Sequence, residues 1–319
     1  MYLHENADDF RELVAATSEH FGRAVSFILK DYFAVAMLKE LTSADPDLVF
    51  KGGTCLPKCY GIIERFSEDV DLGIEEAHAT EGMRKRIKAA VVASAGKLGL
   101  EIPNIGSTRS RREYNRYELP LPSIMQSDEP DMLIIETAVM TPASPAKVRQ
   151  IQSFIGEYCA AQGFDDAVSE YGLDAFDVRA NSLERTFCDK VFALCDYYLS
   201  GEIPSRQLRH IYDLKKLSGA VDMDDDLLNL ITVVREQRVG GFRCPSADAS
   251  VSIPATLREI VSTAAYKADY ERLTMPLLYE GISYGDAIGV LELIARSLEE
   301  DERLRRPRSV LSWRGRAGA

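Results

Sequence analysis

Asp69 and Asp71 stand one residue apart in Asp69-Val-Asp-Leu-Gly-Ile74, a run whose alternation reads as a β-strand. On a strand both carboxylates face the same way, close enough to grip a hard divalent cation such as Mg²⁺. Without a cation between them the two charges repel. Just upstream, Lys51-Gly-Gly-Thr54 places Gly52 and Gly53 before a predicted helix from Thr54 to Ile62. Glycines there let backbone N–H groups approach an anion closely, as a phosphate requires. A third acid, Glu136, interrupts the apolar run Met132–Val139. Such an acid either completes the metal site or pairs with a nearby Arg such as Arg116. A phosphate turn, a carboxylate pair and a third acid on a later strand are the layout that nucleotidyl transfer needs. The turn holds the triphosphate, the pair holds Mg²⁺, and the third acid orients or deprotonates the attacking hydroxyl.

Further along, Lys190 borders the apolar stripe Leu183, Phe187, Val191, Leu194 and Tyr198 of a predicted helix. Its stem can pack while its ammonium reaches a neighbouring cavity, or it can stand as a solvated surface lysine. Arg209 and Asp213 are four residues apart, with Arg206 a turn earlier. Spacing alone makes them an exposed ion pair worth ~0.3–0.5 kcal/mol. Two basic groups could meet RNA: Arg84, Lys85, Arg86 and Lys88 on a helix, and Arg109, Arg111, Arg112 and Arg116 interleaved with Tyr114 and Tyr117. The second group fits RNA better, because aromatics stack on bases while Arg meets phosphates. A formal charge of −12 argues against sequence-indifferent nucleic-acid binding by the whole surface, so a polynucleotide must meet a local basic patch.

The elements that must position these residues follow from periodicity. With 319 residues, 46% of them hydrophobic, the chain can bury a full core and is expected to divide in two. The first fifty residues read as helical, 48–50 as a buried strand, 83–98 as a helix, and 112–119 and 132–139 as strands around a loop from Pro120 to Pro130. After Pro142 helices dominate, expected over 183–199, 205–218, 226–237, 254–264, 267–278 and 286–300, with a short extended piece at 176–179. The fold class is therefore α+β: a core over 1–142, a mostly helical domain over 143–302 that completes the site, and a basic tail over 303–319. The six cysteines are scattered, with no metal spacing, and read as small buried residues kept reduced. No apolar run approaches membrane length and the N-terminus is acidic, so no membrane is expected and the cytoplasm is the default location.

Lys51-Gly-Gly-Thr-Cys-Leu-Pro-Lys58 followed by Arg65-Phe-Ser-Glu-Asp-Val-Asp-Leu72 resembles the AbiEii family of nucleotidyltransferase toxins, within the DNA polymerase β-like superfamily. Glu184-Arg-Thr-Phe-Cys-Asp-Lys190 is similar to the family's second motif and Arg209-His-Ile-Tyr-Asp213-Leu to its last; the match runs from about Asp31 to Leu217. The resemblance implies a polymerase-β-like core. It also implies that Asp69, Asp71, Lys190 and Asp213 are catalytic, that Gly52, Gly53, Thr54, Lys58, Ser67, Lys190 and Arg209 bind nucleotide, and that Asp69 and Asp71 hold Mg²⁺; Glu136 joins them as a metal ligand only on its position in the later strand. In related toxins the serine at Ser67 can be phosphorylated by the antitoxin, and the added charge beside Asp69 would repel the triphosphate. The implied substrates are an NTP and the 3′ end of tRNA, blocking translation, with a cognate antitoxin as partner. Two rival readings are a small-molecule, antibiotic-type nucleotidyltransferase and a nucleotide-binding regulator without turnover.

Overall fold

The structure, a computed structural model, describes residues 1–65, 69–75, 79–109, 112–122, 130–201, 208–241 and 243–305. Ser67, Arg111, Arg206, much of the Pro120–Pro130 loop and the tail beyond 305 lie outside the described residues. Two helices open the chain, α1 (Ala7–Phe21) and α2 (Val25–Ala44). The Asn6 side chain caps α1 at the Asp9 N–H, and Gly22 ends it at φ +60°. Strand β1 (Leu48–Lys51) leads into the short helix α3 (Gly52–Cys55), which continues as a π-turn over Leu56–Tyr60. Then come β2 (Asp69–Ile74), α4 (Glu81–Lys97), β3 (Tyr114–Pro120) and β4 (Met132–Ala138).

The stretch after residue 142 departs from the helical expectation. Beta strand β5 (Ala146–Ile151) precedes α5 (Phe154–Gln162) and α6 (Asp165–Tyr171), and β6 (Phe176–Asn181) follows. The six strands of the described residues form one mixed sheet in the order β3-β4-β2-β1-β6-β5. The sheet thus spans position 142, where the sequence suggested a boundary. Strand β5 was hidden because it is a charged edge strand: Lys147 and Arg149 alternate with an exposed Val148, so no apolar run announces it. The rest is helical: α7 (Leu183–Ser200), α8 (Arg209–Leu217), α9 (Asp225–Arg238), α10 (Ile253–Ser262), α11 (Lys267–Asp269) and α12 (Tyr284–Arg305). The helix expected over 267–278 breaks into a π-turn and a 3₁₀ turn, the latter carrying Pro276, which cannot continue a helical ladder.

Strand alternation gives the sheet two different faces. Leu48, Phe50, Val70, Leu72, Ile74, Tyr117, Leu119, Leu133, Ile135, Val178 and Ala180 join α1, α2, α4 and α5 in one hydrophobic cluster. The intervening residues, Lys51, Asp69, Asp71, Arg116 and Glu136 among them, necessarily face the other way. A second cluster is built from α7 to α12, and Leu56 and Ile63 from the glycine-turn region insert into it.

Candidate active site

The polar sheet face carries one continuous row. Lys51 pairs in register with Asp71, Asp71 with Glu136, and Glu136 with Arg116, so four charged residues from β1, β2, β4 and β3 stand side by side. Asp69 lies two residues along β2 on the same face. These residues floor a cleft of about 630 Å³ whose opposite wall is α7 and the start of α8. On α7 the wall residues are Thr186, Asp189, Lys190, Ala193 and Tyr197, a single helical stripe. The helix is set by its caps: Ser182 accepts from the Arg185 N–H, and Gly201 closes it at φ +66°.

Gly52 is required twice over. Its φ is +77°, and a Cβ there would overlap the Asp71 carboxylate, sitting 2.6 Å from Cγ. The close approach of backbone to carboxylate is therefore possible only with glycine. Thr54 does not face the cleft; its hydroxyl donates to the Asp69 carbonyl at 2.5 Å and so fixes the start of β2 against α3. Burial, then the neighbouring charge of Glu136, pushes the Asp71 carboxyl up to about 7 despite Lys51. Burial also lowers the Lys51 ammonium, whose Nζ donates to the Ala138 carbonyl at 3.1 Å. Glu136 accepts from the Tyr114 hydroxyl at 2.9 Å and lies 3.9 Å from Arg116 Nη1, while Arg116 Nε is 3.3 Å from Glu118. Glu136 thus combines an Arg neighbour with a position in the cleft, the two roles the sequence left open.

Behind the α7 wall sits a buried charge cluster. Asp213 is fully enclosed and accepts from Arg65 Nε at 2.6 Å, Arg65 Nη2 at 2.8 Å and Lys190 Nζ at 2.6 Å. Burial raises its pKa, but the charges of Arg65 and Lys190 outweigh that and hold the carboxyl well below its ordinary range. Asp213 is therefore neither an exposed surface pair nor a group at the cleft surface; it anchors two cations, both of which line the cleft. Lys190 is 5% exposed, which removes the solvated-lysine reading. Its Nζ also lies 3.3 Å from His210 Nδ1. Burial, with the Lys190 charge, lowers the His210 pKa to about 4.

The other expected site residues divide. Gly52, Gly53, Asp69, Asp71, Arg116, Glu136, Lys190 and Arg209 converge on the cleft. Lys58 does not: its ammonium is 2.5 Å from Asp31, donates to the Gln152 carbonyl at 3.1 Å and lies over the Phe154 ring. Lys58, Asp31 and Phe154 line a second cavity of about 190 Å³, which Thr54 also borders. Of the arginine group, Arg109 and Arg112 precede β3 in a loop, Arg112 reaching the Ser107 carbonyl at 3.4 Å. Tyr117 is buried in the core and cannot stack a base; Tyr114, on the opposite face, reaches the cleft. The α4 basic residues are engaged within the chain: Arg84 with the Ala79 carbonyl, Lys85 with Glu81, Arg86 with Asp45 and Asp47, and Lys88 with the Thr108 carbonyl. Missed in the sequence were Lys51, Arg65, Asp189, Tyr197, His210 and Arg238. Tyr197 was within reach, since it lies seven residues after Lys190 on the same helical stripe.

The cleft thus sets a sheet face bearing acids and a glycine turn opposite a helix carrying a buried lysine. Residues 36–289 match the family described as nucleotidyl transferase AbiEii toxin, Type IV TA system, and the chain belongs to that family. The family is one of nucleotidyl transferase toxins of toxin–antitoxin systems, which implies an antitoxin as partner. Comparison with curated proteins finds no match. None of the described helices is long and apolar enough to cross a membrane.

Proposed function

We propose that the chain transfers a nucleoside monophosphate from an NTP to an RNA hydroxyl, the tRNA 3′ end being the acceptor, and so blocks translation as the toxin of its pair. The observation that carries this reading is the in-register Asp71–Glu136 pair, with Asp69 on the same face, in a cleft that also holds Lys51, Lys190 and Arg209. On this reading the sheet and its glycine turn are a polymerase-β-like core.

Among the described residues no three His, Cys, Asp or Glu side chains form a ready-made metal cage. Mg²⁺ is commonly held by one or two carboxylates with substrate phosphates completing its oxygen shell. Burial and then the Glu136 charge raise the Asp71 pKa, an environment that a bound cation would relieve. Asp69 and Asp71 would hold the ion, with Glu136 adjoining. Bound there, Mg²⁺ neutralises developing phosphate charge and aligns the reacting oxygens. The chain's own contribution is positional. The Gly52–Gly53 backbone, Lys190 and Arg209 orient the polyphosphate, and Glu136 receives the acceptor's proton. The acceptor oxygen then bonds to the α-phosphorus as the bond to the bridging oxygen breaks, and pyrophosphate leaves with that electron pair.

Incubation of the purified chain with each α-labelled NTP, Mg²⁺ and total RNA tests this. Label is expected in RNA of tRNA size. Label in a small molecule supports the antibiotic-type enzyme, and binding without transfer supports the regulator.

A further inference from the structure

The cleft also carries an aromatic pair. The rings of Tyr197 and His210 lie parallel within 17°, their centroids 6.3 Å apart, and both line the cleft. Each is half-buried, one on α7 and the other on α8, so the pair is held by two elements rather than by one mobile side chain. His210 is held neutral across the physiological range. Its Nδ1 lies 3.3 Å from the Lys190 ammonium and 4.0 Å from Asp213 Oδ2. The pair therefore offers two near-parallel aromatic rings with polar edges.

Position identifies what that surface receives. Tyr197 lies two turns along α7 from Lys190, a separation of about 10 Å at 1.5 Å per residue. Ala193, on the same stripe between them, projects only a methyl group and leaves the wall open. The His210 ring lies next to the cation, its Nδ1 3.3 Å from Lys190 Nζ, and the Tyr197 ring lies a further 6.3 Å out between centroids, so cation, inner ring and outer ring follow one another as polyphosphate, sugar and base do in an extended nucleotide. Bases of any kind stack on such rings, and stacking is sequence-tolerant because every base has a π-face.

We infer that Tyr197, the outer ring of the pair, is the platform on which the base of the incoming NTP stacks, with Lys190 at the phosphates. This rests on the nucleotidyl-transfer reading. Calorimetric titration of the full chain with each NTP, and separately with inorganic tripolyphosphate, tests it. Tyr197→Ala should weaken NTP binding by about tenfold or more while leaving tripolyphosphate within about twofold of the unaltered chain. Tyr197→Phe, which keeps the ring and removes the hydroxyl, should restore NTP binding. An alanine variant that binds NTP normally, or loses tripolyphosphate equally, overturns the platform; so does an unaltered chain that binds tripolyphosphate as tightly as every NTP. An unaltered chain that binds neither ligand refutes the nucleotidyl-transfer reading itself, and the platform with it.

Discussion

Asp71 is where the cost of this site is concentrated. Its carboxyl sits among Glu136, Asp69 and a tightly apposed glycine backbone, and its pKa is raised from the ordinary carboxylate value to about 7. Between those two values the folded chain binds the proton more readily than the unfolded chain, so this group's contribution to stability falls as pH rises toward 7. Asp71→Asn removes that dependence. In thermal melts without divalent cations, the variant should gain stability relative to the unaltered chain as pH rises from about 5 to 8. A difference that does not change with pH would contradict the charge environment described. The carboxylate pair was legible because a period of two fixes which residues share a strand face. Lys58 was not, because proximity in sequence does not fix direction: it lies one helical turn after Thr54, and both border the second cavity.

At the scale of elements, Asp213 ties the segment before β2 to the helical wall. Arg65 reaches it from one side and Lys190 from the other, all three nearly excluded from water. Removing the carboxylate leaves two buried cations facing each other, so Asp213→Ala should destabilise the fold by ~3–5 kcal/mol in denaturant titration. A loss below ~1 kcal/mol would show that the cluster is hydrated. Because the Asp213 pKa is depressed in the folded chain, the stabilisation it provides is full above the ordinary carboxylate value and is lost only as pH falls through the depressed one. The helices were readable from their apolar stripes and caps. The Arg65–Asp213 contact was not, because the partners are 148 residues apart and no local period links them. Strand β5 escaped for a different reason, its pairing with β6 being made by backbone rather than by an apolar signature.

In the whole molecule, two hydrophobic clusters meet at the segment that carries the chemistry. Leu56 and Ile63 sit in the helical cluster, Leu278 bridges to Arg65, and the Tyr279 N–H donates to the Glu64 carbonyl at 2.9 Å. Tyr212 donates to Glu280 and receives the Glu64 N–H at 2.9 Å, so the helical half holds Glu64 and Arg65 in place. The cleft depends on both halves: the sheet supplies the acids and the glycine turn, the helices supply Lys190, Arg209 and the aromatic pair. The most direct test is single-turnover transfer of an α-labelled nucleotide to RNA by the unaltered chain and by Asp71→Asn, with folding of both verified by melting. The carboxylate row as a transfer centre predicts labelled RNA for the unaltered chain and a loss of about a hundredfold or more for the variant. Equal labelling by the two proteins would contradict it.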